Sequence, residues 1–159
     1  MLSRVLLHRA SAALAAIALG ACAATAVQPG MSREDVVARM GQPSRVLPLD
    51  VGATRLQYSR QPAGQQVFNV DLDATGRVVQ MRQMLTAQEF SRITVGQWTR
   101  DDVERAFGPP ASIDHAANWP TDIMTYRWYA GQDMFYWVYL DQNNVVRRAE
   151  PGVEYHRDD

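Results

Sequence analysis

The chain has 159 residues, 47% of them hydrophobic, with 16 basic and 17 acidic side chains and a formal net charge of −1. A single cysteine excludes an internal disulfide, and the absence of any basic block excludes a nucleic-acid partner, because phosphate binding needs a concentrated basic face. Every basic residue is arginine, with no lysine anywhere.

The first element in chain order is a targeting segment. Arg4 and Arg9 make a basic start, and residues 10–19 form an uncharged Ala- and Leu-rich run of secretory length. That run is too short to cross a hydrocarbon core of roughly 30 Å as a helix. It ends in Leu19-Gly20-Ala21-Cys22, which resembles the lipobox of bacterial lipoproteins. The resemblance implies cleavage of the 1–21 signal peptide and a diacylglyceryl group on the Cys22 thiol, a covalent lipid in place of any cofactor. Two acyl chains, at about 0.8 kcal/mol per buried methylene, anchor a domain stably to a bilayer. Ala23, where an Asp would hold such a protein at the inner membrane, implies the outer membrane, facing the periplasm. Removing residues 1–21 leaves 138 residues and takes the net charge to −3, enough chain for one domain or two small ones sharing a core.

After a short linker over 22–29 the sequence duplicates. Met31-Ser-Arg-Glu-Asp-Val-Val-Ala-Arg-Met-Gly-Gln-Pro43 returns 67 positions later as Trp98-Thr-Arg-Asp-Asp-Val-Glu-Arg-Ala-Phe-Gly-Pro-Pro110. Each copy predicts a helix of about nine residues, capped by Ser32 or Thr99, acidic in its first turn, and stopped by Gly41 or Gly108 ahead of Pro43 and Pro109. The pairs Val36/Met40 and Val103/Phe107 give each helix one apolar face. Downstream the period changes to two, over 54–60, 67–72 and 77–84, then over 123–129, 134–140 and 145–149. Between the copies, Thr86-Ala87-Gln88-Glu89 reads as a capping box opening a short helix to about Arg92. The reading is therefore α+β: two tandem ααβββ units, at 30–84 and 85–159, with helices packed on one face of an antiparallel sheet. In the first unit the leading helix, falling near 23–27, is truncated.

These residues resemble a known family. Leu85-Thr86-Ala87 leading to Ile93-Thr94-Val95-Gly96, then Thr99, Val103, Phe107-Gly108 and Pro110, is similar to the SmpA/OmlA or BamE-like lipoprotein domain, with its Ile-x-x-Gly-Met-Thr…Val…Leu-Gly-x-Pro pattern on an ααβββ fold. Gly30-Met31-Ser32 to Gly41-Gln42-Pro43 is the second match. BamE has one such unit. Two in tandem resemble the β-lactamase-inhibitor protein fold, whose copies form a continuous sheet with helices on one side. The resemblance implies a lipoprotein that binds a protein of the cell envelope, with the barrel-assembly machinery as the partner, in outer-membrane protein assembly or envelope integrity. The tandem form also admits an inhibitor or sensor that grips a periplasmic enzyme.

Strand alternation assigns faces. Phe68, Val70 and Leu72 point to the helices, with Val67, Asn69 and Asp71 away from them. Moving 68 positions on, Tyr136, Val138 and Leu140 are core, as are Met124, Tyr126 and Trp128. This leaves Arg127, Tyr129, Phe135, Trp137 and Tyr139 outward as candidate partner-binding residues, since aromatics with an arginine have the composition of an interface hot spot. The alternative is that this face packs on the other unit or beneath the tail, with Tyr155 folded over it.

Catalytic patterns are thin. His115 and His156 sit in a loop and the tail without metal-ligand spacing, and no Gly-x-Ser-x-Gly elbow or phosphate-binding loop occurs. Asp101 and Asp102 suit a helix N-terminus, and Asp71 and Asp73 read as a solvated rim. No catalytic or metal-binding residue is expected, and the chain reads as a non-enzyme.

Overall fold

The computed structural model describes residues 27–155, so Leu19, Gly20, Ala21, Cys22 and His156 lie outside the described residues. The order is α1 (Arg33–Met40), β1 (Arg45–Pro48), a 3-10 turn at Asp50–Gly52, β2 (Thr54–Ser59), β3 (Val67–Leu72) and β4 (Val78–Gln83). There follow α2 (Ala87–Phe90), α3 (Arg100–Phe107), β5 (Ser112–Ala116), β6 (Trp119–Tyr129), β7 (Asp133–Leu140) and β8 (Val146–Val153). The strands form two separate four-stranded antiparallel sheets, β1-β2-β3-β4 and β5-β6-β7-β8.

This overturns the expected α+β class of ααβββ units on a continuous sheet: the chain is mostly β, with a few short helices. Each unit gains a strand between helix and meander. β1 buries only Leu47, and β5 buries nothing, so neither short edge strand carries a period-two signal. β8 runs on through Pro151 because it is an edge strand, where a missing N–H costs no ladder bond.

The two eight-residue helices are set by local chemistry. Ser32 and Thr99 each accept from the N3 amide, and Asp35 and Asp102 return a carboxylate to the cap backbone, closing both capping boxes. Gly41 and Gly108 end them at φ 81° and 76°, a region glycine enters without strain. The Thr86 hydroxyl caps α2, but the Glu89 carboxylate turns to Arg82 (3.2 Å) and Arg92 (2.7 Å), so the expected capping box there is half made.

The sheets agree in register. Tyr58 pairs with Phe68 as Tyr126 pairs with Tyr136, and ladder irregularities fall at Asp71/Leu72 and Tyr139/Leu140. Each inner tyrosine donates its hydroxyl to the carbonyl that ends the preceding helix: Tyr58 to Gly41 at 3.2 Å and Tyr126 to Gly108 at 2.7 Å. Val36, Leu56, Tyr58, Val70, Leu72 and Val78 form the first core. The second gathers Phe90, Val103, Phe107, Met124, Tyr126, Trp128 and Val138, and also takes in Val67 and Met84 from the first unit.

The units are joined through the C-terminal end of α3. Its last carbonyls have no partner within the helix and must be satisfied from outside. Asn69 Nδ2 donates to Ala106 O at 2.8 Å, Arg55 Nη1 to Arg105 O at 3.2 Å, and Gln57 Nε2 reaches Arg105 O at 3.3 Å. The face of the first sheet expected to meet solvent is therefore buried: Gln57, Asn69 and Asp71 are 0%, 1% and 7% exposed. Asp71 is no solvated rim. It holds Arg55 at 2.6 and 2.9 Å and accepts from Gln80 at 2.9 Å. Burial pushes its carboxyl upward, but the Arg55 hydrogen bonds and charge, with the Gln80 amide, outweigh that and hold it below the ordinary 3.8.

Candidate functional site

The opposite face of the second sheet is built from alternate residues of three strands. Phe135, Trp137 and Tyr139 run down β7, flanked on β6 by Arg127, Thr125 and Ile123 and on β8 by Gly152, Glu150 and Arg148. The rings pack laterally: Phe135 to Trp137 at 5.8 Å, and Tyr139 edge-on to Trp119 at 5.2 Å. Phe135, Trp137 and Tyr139 are half-buried by such neighbours, whereas Tyr129 is 62% exposed. Tyr155 is 84% exposed and is not folded over the row.

Trp119 belongs to this row and was missed, because β6 begins four residues earlier than the apolar alternation suggests. Its parity with Ile123, Thr125 and Arg127 is the signal that could have found it. Its indole N–H donates to Leu140 O at 2.9 Å, which fixes the ring at the end of the sheet.

The cation expected on this face, Arg127, is held there in an ion pair. Arg127 Nε bonds both Glu154 carboxylate oxygens at 2.9 and 3.0 Å, and Nη1 donates to Pro62 O at 3.0 Å. The Gln61 side chain brackets the same residue, accepting from Arg127 N at 3.1 Å and donating to Arg127 O at 2.6 Å. Arg127 thus ties the first unit's 60–65 loop and the C-terminal segment to β6. The cation presented among the rings is Arg148, 4.9 Å from the Tyr139 centroid and bonded through Nη2 to Glu150 at 2.7 Å. Glu150 also accepts from the Tyr139 hydroxyl at 3.1 Å. Burial, then the Glu150 hydrogen bond, raise the Tyr139 phenol, so it stays a neutral donor. The surface is a tiled aromatic sheet face with one stacked, half-neutralised arginine. It carries shape and apolar area.

The remaining candidates have local explanations. His115 lies 3.1 Å from Asp122, which also pairs with Arg100, and the Arg100 hydrogen bond holds the Asp122 carboxyl low. Asp73 accepts from Thr75 N and Arg77 N in a turn matched by Asp141 with Asn143 and Val145. Among the described residues no three metal-ligating side chains come together.

Comparison with known proteins gives one family match. Residues 22–82 match the model described as the outer membrane protein assembly factor BamE domain. No curated protein matches the chain. Two solved structures are similar at low identity. A DUF4309 family protein (YjgB) from Bacillus subtilis subsp. subtilis str. 168 is 15% identical over 77% of this chain and 78% of its own, with a TM-score of 0.30. A cysteine-rich secretory protein (SAV1118) from Staphylococcus aureus subsp. aureus Mu50 is 14% identical over 79% of this chain and 44% of its own, with a TM-score of 0.31.

Proposed function

We propose, for a chain whose residues 22–82 match the BamE domain model, that it is a BamE-like (SmpA/OmlA) lipid-anchored protein-binding module of the outer membrane, facing the periplasm. Its role is in outer-membrane protein assembly or envelope integrity. The anchor is the lipid on Cys22, and the second unit is a further copy of the same kind of module.

The observation that carries the binding role is the row of Trp119, Tyr139, Trp137 and Phe135 along one sheet face. Large rings with little rotameric freedom, set beside an arginine, supply interface area at low entropic cost. Shape and apolar area of this kind fit a scaffold.

The test is recovery of partners from envelope extract with the lipidated protein and with Trp137→Ala. Co-purification of the barrel-assembly machinery, lost on substitution with an unchanged melting temperature, is the expected result. Recovery of one soluble periplasmic enzyme instead would replace assembly by inhibition or sensing. A large fall in melting temperature would make Trp137 structural and remove this face from the binding role.

A further inference from the structure

A second surface follows from comparing the units. In the second, Phe90 at the end of α2 stacks on Tyr136 (3.9 Å between ring centroids, 2° between planes) and lies 4.9 Å from Phe107, 5.4 Å from Trp128 and 6.4 Å from Tyr126. The matching positions of the first unit, 67 earlier along the helix and 68 along the strands, are Phe68, Met40, Arg60 and Tyr58. All four line one groove of about 500 Å³, together with Met81. The position matching Phe90 falls at residues 22–23, and the segment that follows is Ala23-Ala-Thr-Ala26, which brings no large apolar side chain. Among the described residues, the first unit has the socket and no aromatic side chain in the place of Phe90.

We propose that this groove receives a segment of a partner protein that inserts one aromatic side chain with a carboxylate beside it. The occupant's shape comes from the chain's own answer to the same socket, where a single helical turn delivers a phenyl ring. Its charge comes from Arg60, which is exposed at the edge of a lining that includes no carboxylate. In the second unit the residue before the ring is Glu89, held between Arg82 and Arg92, so the acid–aromatic pair is used there too. The Tyr58 hydroxyl is engaged by Gly41 O, which fixes its ring as a wall of the groove. This surface is distinct from the aromatic face of the second sheet.

The probe is a capped peptide of residues 85–93 of this chain, titrated into the chain from residue 22 onward carrying Cys22→Ser and followed by NMR. Saturable shifts of the Met40 and Met81 methyls and the Phe68 ring are expected. A Phe90→Ala peptide should bind at least tenfold more weakly. Arg60→Glu in the protein should weaken the parent peptide similarly and be compensated by a Glu89→Arg peptide, since Arg60 is exposed and its reversal leaves the core alone. The proposal is overturned by no saturable binding, by indifference to the Phe90 ring, or by shifts confined to the second unit. Binding that appears only once residues 22–26 are removed would make the chain's own N-terminal segment the occupant. A dimer closed through Met40 and Phe68 would make it a second copy.

Discussion

Gly152 lies directly beneath the indole of Trp137: a Cβ at position 152 would stand 2.2 Å from Trp137 Cζ3 and 2.3 Å from Cη2. The absent side chain is what lets the ring lie across β8 as part of the aromatic row. Gly152→Ala should therefore lift the indole. Because the ring is half-exposed it can tilt outward, so the cost should stay at the low end of the about 1–3 kcal/mol typical of overpacking. The expected signature is altered near-ultraviolet circular dichroism with a melting temperature near that of the parent, and loss of partner capture equal to Trp137→Ala. A native spectrum would mean that Gly152 does not seat the ring.

The bond from Asn69 Nδ2 to Ala106 O joins the units at a buried helix end. Asn69→Ala leaves that carbonyl without its donor, at a cost of about 1–3 kcal/mol. Since the same junction carries Arg55 and Gln57, the substitution should also loosen one unit from the other. Denaturant unfolding is expected to shift to a lower midpoint and broaden. An unchanged transition would show that the helix end is satisfied without Asn69.

Asp71 gives the fold a defined acid dependence. Its folded pKa lies below the ordinary 3.8, so its stabilisation is fully present above 3.8 and is lost as pH falls through the folded value. Arg55 and Asp71 are 14% and 10% exposed at the side chain, and removing one partner of so buried a pair costs about 3–5 kcal/mol. Arg55→Met should lower stability at neutral pH and flatten the stability loss below pH 3.8. Parallel curves for parent and variant would exclude Asp71 as the group responsible.

How far the sequence could be read follows from the range of the contacts involved. The three meander strands of each unit and both capped helices were legible because alternation and capping are local. The rows of side chains on the second sheet followed from the same parity, including the placement of Phe135, Trp137 and Tyr139 together. The first sheet defeated this reasoning: Asn69 and Asp71 look like solvent-facing residues, yet they meet α3, whose Ala106 is 37 positions away from Asn69. Periodicity within a strand carries no record of a helix end arriving from another unit. The partners of Arg127 were illegible for the same reason, Pro62 and Glu154 lying 65 and 27 positions away. The edge strands β1 and β5 failed because a strand that buries one residue or none has no pattern to read.

The place where the described fold begins sets how far a lipid on Cys22 would stand from the first unit. Val27, the first described residue, already packs against the core of Val36, Leu56 and Tyr58, and Gly30 N donates to Val78 O at 2.7 Å. Val27 lies five positions after Cys22, a stretch that spans at most about 18 Å when extended. A lipid on Cys22 would hold the first unit against the bilayer surface and leave the aromatic face of the second as the part free to reach outward. Cys22→Ser should move the protein from the membrane fraction to the soluble one. The melting temperature should not change, because the described core begins beyond the substitution. Retention of the serine variant in washed membranes would show that something other than a Cys22 lipid holds it there.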